Sequence, residues 1–282
     1  MSGRLHASGG ILYLLRPRRG WRVELFDWDG RVLPGGFRLG REWCAPRNLA
    51  VDEDRRVWIL DAERNVCVAH SLFGMAGESF ALRHEHPQAI AVRGLEGEQL
   101  RCVAYGGAQR HGLTCWRADA PQRAIQLRSL GRNDTLFEGA CALAVRGAEE
   151  LLLAEQFANR VQIFRSLEFH YSLRLDPGRD ARLTAIAPLA DGRIAAAFDG
   201  EQASLELFDS RGTHLTTLAE SGRVLAPCGL AVEEADIDAR IRVALLDLAG
   251  SRVQIFNLRG ARLGSFCEPG SASVEDDEFN PS

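Results

Sequence analysis

One phrase is written twice in this chain. Asn159 opens NRVQIFRSLEFHYSLRL and Ser251 opens SRVQIFNLRGARLGSF, which sets Arg160 and Arg252 92 residues apart, twice 46, in a chain of 282 residues. A repeat near 46 residues, fitting about six times into the length, restricts the chain to architectures built by stacking one small unit on copies of itself.

The unit shows when single positions are followed along the chain. An aromatic residue closes a short alternating run in WRVELF (Phe26), GLTCW (Trp116), NRVQIF (Phe164), ASLELF (Phe208) and SRVQIF (Phe256), and NVCVAH puts His70 in the same column. Such runs, with period-two alternation and many Val, Ile, Leu and aromatic residues, predict strands with a buried face. A second column precedes the aromatic one: ILYLL, VWIL, RCVAY, LLLA, RIAAAF and VALL. A third precedes that, in PRNLAVD, PQAIAVR, ACALAVR, TAIAPLAD and PCGLAVE. After the aromatic comes a glycine turn and a last short strand, as in DSRGTHLTTL and NLRGARLGSF. Four consecutive strands per 46 residues predict an all-β fold, a six-bladed β-propeller of four-stranded antiparallel blades over residues 1–266, followed by an acidic tail at 267–282. In the first unit the inner strand is expected from GRLHA, so that the amino-terminal segment completes blade one.

NRVQIF and SRVQIFNLRG, with the proline-led strand before them, resemble NHL repeats, whose propellers commonly have six blades. The likeness is clearest in units four and six, and unit three departs from it most, with YGGAQRHG where an Asp-containing turn is usual. The resemblance implies the fold more firmly than an activity, because such propellers include protein- and RNA-binding platforms as well as hydrolases and lyases.

Residue usage removes several chemistries. All 34 basic residues are arginine, so lysine Schiff bases and the P-loop lysine are excluded. Net charge is -4, the tail carrying -5 and the body about +1, and the near-neutral body argues against nucleic acid as a partner despite RPRRGWR at 16–22. No apolar run is long enough for a membrane helix, and a cytoplasmic address without signal peptide or anchor is expected. The seven cysteines show no CxxC pair and are expected as free thiols.

By position, the loops leading into the inner strands and those between second and third strands surround one mouth of the central channel. That mouth is expected to gather Arg47, Asn48, His84, His86, Gln88, Glu138, Cys141, Arg182, Thr184 and Cys228, with Asp61, Glu63, His111, Glu155, Asn159 and Asp247 from the other loops. His84 and His86 offer imidazoles but lack a placed set of further ligands, so no metal or other cofactor is assigned. Cys141 and Cys228 stand at equivalent positions two units apart. Asp61, Glu155 and Asp247 are expected to accept hydrogen bonds in their own turns. Trp21, Trp28 and Trp43 lie at turns or strand edges, where they could anchor an interface or pack between blades.

No GxSxG or HExxH occurs. Asn48, Asn133, Glu138 and Asp180 are the residue types that resemblance to six-bladed metal-dependent lactonases would require, but the EGP signature of that group is missing. The expected role is therefore a non-catalytic interaction subunit that binds another protein or a multisubunit complex, with a channel-mouth hydrolase or lyase as the alternative and RNA binding third.

Overall fold

The structure is a computed structural model and describes residues 4–17, 20–82, 86–95, 98–106, 111–117, 120–127, 139–147, 149–178, 180–233, 235, 237–249 and 251–267. Its strands form six four-stranded antiparallel sheets, each made of consecutive strands. Blade one holds β1 (Arg4–Ser8), β2 (Ile11–Pro17), β3 (Trp21–Phe26) and β4 (Phe37–Arg38), and blade two holds β5 (Pro46–Val51), β6 (Val57–Asp61), β7 (Val66–His70) and β8 (Ala76–Ala81). Blade three follows with β9 (Pro87–Leu95), β10 (Glu98–Gly106), β11 (His111–Arg117) and β12 (Ala120–Leu127), and blade four with β13 (Ala140–Arg146), β14 (Glu150–Glu155), β15 (Arg160–Arg165) and β16 (Glu168–Arg174). Blade five is β17 (Arg182–Pro188), β18 (Ile194–Asp199), β19 (Ser204–Phe208) and β20 (His214–Ala219); blade six is β21 (Pro227–Glu233), β22 (Arg242–Asp247), β23 (Arg252–Asn257) and β24 (Arg262–Phe266). The only helix among the described residues is a single 3-10 turn at Asp238–Arg240.

The aromatic column explains how the blades adhere. Phe26, His70, Trp116, Phe164, Phe208 and Phe256 are all buried, and the five aromatics each join an apolar cluster shared with the preceding blade. His70 does the same work by stacking on Phe37 of blade one at 5.0 Å and lying 5.6 Å from Trp43. Burial lowers its pKa, so the ring packs as a neutral aromatic. Between third and fourth strands a recurrent turn supplies Asp27, Ser71, Asp209 or Asn257, whose side-chain oxygen accepts from the backbone N–H two and four residues on.

Blade one takes its inner strand from the amino-terminal segment, with Leu5 opposite Leu14 and His6 opposite Tyr13. Because both flanking blades are complete in themselves, packing closes the ring and strand exchange does not. At that seam Phe26 meets Phe266 at 4.8 Å, and Arg242 pairs with Asp29 at 2.9 Å. Gly30, with φ +82°, lies so close that a Cβ would fall 2.7 Å from the Phe266 ring. The acidic tail from Glu268 lies outside the described residues.

The expectation of seven free thiols is corrected. Cys102 on β10 and Cys115 on β11 are direct cross-strand partners, 4.1 Å apart at Cα, and form a disulfide. Hairpin register brings together two residues that 13 positions of sequence separate. Cys44, Cys67, Cys141, Cys228 and Cys267 are not disulfide-bonded.

Candidate functional site

A one-residue irregularity builds the channel mouth. In β5 the pairing with β6 runs Pro46 to Asp61 and then Asn48 to Leu60, leaving Arg47 unopposed. The same slip leaves Gln88, Cys141, Thr184 and Cys228 unopposed in β9, β13, β17 and β21. A β-bulge re-aims the extra side chain and ends regular pairing, which is why bulges recur beside functional sites. Each bulged residue begins a local pattern of a small or short residue, an apolar residue and alanine: RNLA, QAIA, CALA, TAIA and CGLA. RLHA in β1 keeps the closing alanine but has Leu5 and His6 at the small and apolar places, and Arg4 takes the ring position without a bulge.

The ring side chains stitch blades together. Arg4 Nη1 donates to the Cys228 carbonyl at 2.9 Å, and Arg47 donates through Nε and Nη2 to Gln88 Oε1 at 3.2 and 2.9 Å. Cys141 Sγ donates to the Leu183 carbonyl at 3.4 Å, and Thr184 Oγ1 to the Pro227 carbonyl at 2.8 Å. Below this ring the channel holds a cavity of about 370 Å³ lined by all five fully described inner-strand sets and by Ile90 to Val92 of the third blade. One step deeper come His6, Leu49, Ile90, Leu143, Ile186 and Leu230, a layer that is apolar in every blade but the first.

Among the described residues, Arg4 is the permanently charged side chain that lines the cavity. Burial lowers the Arg47 pKa and the neighbouring Arg4 guanidinium lowers it further, although an arginine remains charged at neutral pH. Burial alone pushes His6 down to about 4, so its imidazole is neutral in the channel. Cys141 is pushed up to about 12, chiefly by burial, and stays a protonated thiol without nucleophilic character. Cys141 and Cys228 do not pair with each other; Cys228 Sγ instead contacts the Leu246 carbonyl at 3.7 Å.

Of the other expected mouth residues, Asn48 lines the cavity and His86 is exposed at the loop before β9, its carbonyl accepting from Gln88 Nε2 at 3.2 Å. Arg182 is exposed, with its guanidinium 5.7 Å from the ring of Phe157. His84, Asn133 and Glu138 lie outside the described residues. The carboxylates ending the second strands are buried and structural. Asp61 accepts from the backbone N–H groups of Cys44, Ala45, Glu63 and Arg64, and Asp247 accepts from those of Leu225 and Ala226. Glu155 holds Arg160 and Gln162. Asn159 bridges to blade five through the Ala181 carbonyl and the Leu183 N–H.

The tryptophans pack between blades. Trp28 and Trp43 are 4% and 7% exposed, under the Arg242 and Arg64 guanidiniums respectively, and Trp21 lies against the cluster shared by blades one and two. Phe157 is exposed at 63%, but among the described residues the most exposed large apolar side chains are Val32 at 75%, Phe73 at 75% and Met75 at 72%. They sit on loops between third and fourth strands of blades one and two, at the end opposite Arg4. Those loops touch, Gly36 N–H donating to the Leu72 carbonyl at 2.8 Å. Among the described residues no group of three or more His, Cys, Asp or Glu side chains is gathered as for a metal.

By sequence the chain matches no family profile and no curated protein. By structure it is similar to a streptogramin B lyase, at TM-score 0.59 and 12% identity over 93% of this chain and 81% of that one. It is similar to virginiamycin B lyase from Staphylococcus aureus, at 0.59 and 12% over 93% and 83%. Kuenenia stuttgartiensis hydrazine synthase aligns at 0.61 and 14%, over 90% of this chain and 76% of that chain. At such identities these likenesses speak for the propeller fold.

Proposed function

We propose that this propeller is a non-catalytic, NHL-like interaction subunit of the cytoplasm that docks another protein, alone or within a multisubunit complex, through the loop face of blades one and two. The observation that carries this reading is the exposure of Val32, Phe73 and Met75 on touching loops of adjacent blades. Large apolar side chains held on rigid turns are the residues from which interface anchors are made. Support also comes from Asp61, Glu155 and Asp247, which are committed to hydrogen bonds in the scaffold and are thereby withdrawn from acid or base chemistry.

The test is native co-purification of the full chain against a V32D/F73D/M75D variant. These side chains are largely in water already, so the variant should keep its melting temperature and lose a stoichiometric partner. A variant that retains the partner overturns the docking face. The alternative, a hydrolase or lyase at the channel mouth, shares its architecture with the two lyases above, and would be favoured if an Asn48→Ala variant kept its partner but lost the cellular activity.

A further inference from the structure

We infer that the central channel is a binding site for a small uncharged amide with an aliphatic body, held by the side chains of Asn48 and His6 and by the free edges of the inner strands. The inference stands on which polar groups of the channel the fold uses and which it leaves open. Asn48 on β5 and His6 on β1 both line the cavity and are half-buried. Neither side chain makes a hydrogen bond among the described residues, and the polar atoms of both are open to the cavity. Other polar side chains of the wall are in use. Arg4 Nη1 donates to the Cys228 carbonyl at 2.9 Å, Thr184 Oγ1 to that of Pro227 at 2.8 Å, and Cys141 Sγ to that of Leu183 at 3.4 Å. Asn48 and His6 are therefore groups that a ligand can engage without breaking a bond of the scaffold.

The wall decides which chemistry fits. Each inner strand ends the order of its sheet, so along its channel edge alternate residues present N–H and C=O groups that have no partner in the sheet. An amide carries the same donor and acceptor side by side, and the Asn48 carboxamide can meet it at two points. Burial keeps the His6 imidazole neutral, with one ring nitrogen a donor and the other an acceptor. Among the described residues no Asp or Glu lines the cavity, and the Arg4 guanidinium is engaged, so an ion would give up its hydration for uncharged partners, which is costly. Leu5, Leu49, Ile90, Leu143, Ile186 and Leu230 line the same cavity and would cover a hydrocarbon body. The volume of about 370 Å³ falls within the range of small-molecule sites, roughly 300–1,000 Å³.

Val32, Phe73 and Met75 do not line this cavity, so failure here would leave the docking proposal standing, and the reverse holds too. The experiment is titration of the full chain with acetamide, butanamide, hexanamide, hexanol, hexanoate and hexylammonium. Binding is read by calorimetry and by the His6 imidazole proton resonances, assigned by their loss in His6→Gln. Affinity should rise from acetamide to hexanamide, by at most about fourfold per methylene buried. Hexanol, with one hydrogen bond fewer, should bind about fivefold more weakly than hexanamide. Hexanoate and hexylammonium should each bind at least about tenfold more weakly, because neither ion finds a free counter-charge. Asn48→Leu breaks no hydrogen bond of the scaffold; with its circular dichroism unchanged, it should bind hexanamide about fivefold more weakly. In the unaltered chain hexanamide should shift the His6 resonances, a reading that needs no binding variant. No heat and no His6 shift at millimolar hexanamide, hexanol or either ion as tight as hexanamide, no trend with chain length, or full hexanamide affinity in folded Asn48→Leu would each overturn the inference.

Discussion

Arg101 offers a sharp test of how the blades are held together. It lies on β10 with its side chain 3% exposed, donating through Nη1 and Nη2 to Glu78 of blade two at 2.6 and 2.7 Å. The guanidinium sits 4.2 Å from the centre of the Trp58 ring and 5.7 Å from that of Phe80, so one cation joins the second and third blades. Three quantities set the outcome of replacing it. A desolvated cation–π contact is worth about 2 kcal/mol. The bidentate pair contributes about 1.5–3 kcal/mol at full strength, less here because Glu78 is 39% exposed and can rehydrate when left alone. Against both stands the cost of keeping a guanidinium out of water, raised by an Nε that has no hydrogen-bond partner. Arg101→Met keeps the stem against Trp58 and removes that cost, so a net loss of only about 1 kcal/mol is expected. Arg101→Ala also opens a void between Trp58 and Phe80 and should lose about 3–4 kcal/mol. Glu78→Gln leaves the cation buried with a weaker partner and should fall between them, near 2 kcal/mol. Urea unfolding with a constant m-value measures all three. The order Ala, then Gln, then Met is the claim. Equal losses for Met and Ala, or no loss for Glu78→Gln, would refute it, the first by making the stem irrelevant and the second by making the pair irrelevant.

Two further outcomes are expected. His6 titrates near 4 when folded against about 6.5 unfolded, so the unfolded chain binds more protons between those values and its contribution to stability falls as pH drops from 6.5 toward 4. The loss should amount to at most about 3 kcal/mol, lessened by water in the channel, and His6→Gln should flatten this part of the urea-midpoint profile; parallel profiles for the two proteins would count against a buried neutral imidazole. Thiol titration in denaturant without reductant should find the five cysteines outside the disulfide and spare Cys102 and Cys115. Seven reactive thiols would mean that this pair is reduced, the state a reducing cytoplasm favours.

The sequence by itself determined the six four-stranded blades, because period-two alternation and the aromatic column are local signals repeated six times. Even the inner strand of blade one was legible, since His6 stands as far before Leu14 as Val51 does before Ile59. The mouth was legible in part: Arg47, Gln88, Cys141, Thr184 and Cys228 fall in one column, yet nothing in the column says that each is a bulge. A bulge is a mismatch between two strands, two residues against one, and exists only once the partner strand is in place. For the same reason Cys102 and Cys115 became a pair only through hairpin register. In sequence Arg101 opens the strand run RCVAY with no partner in view, and Trp28 is an aromatic that could anchor an interface or pack between blades. Tertiary structure alone decided that they are buried, because the seam that covers each is completed by a neighbouring blade, through Glu78 for the one and Arg242 for the other.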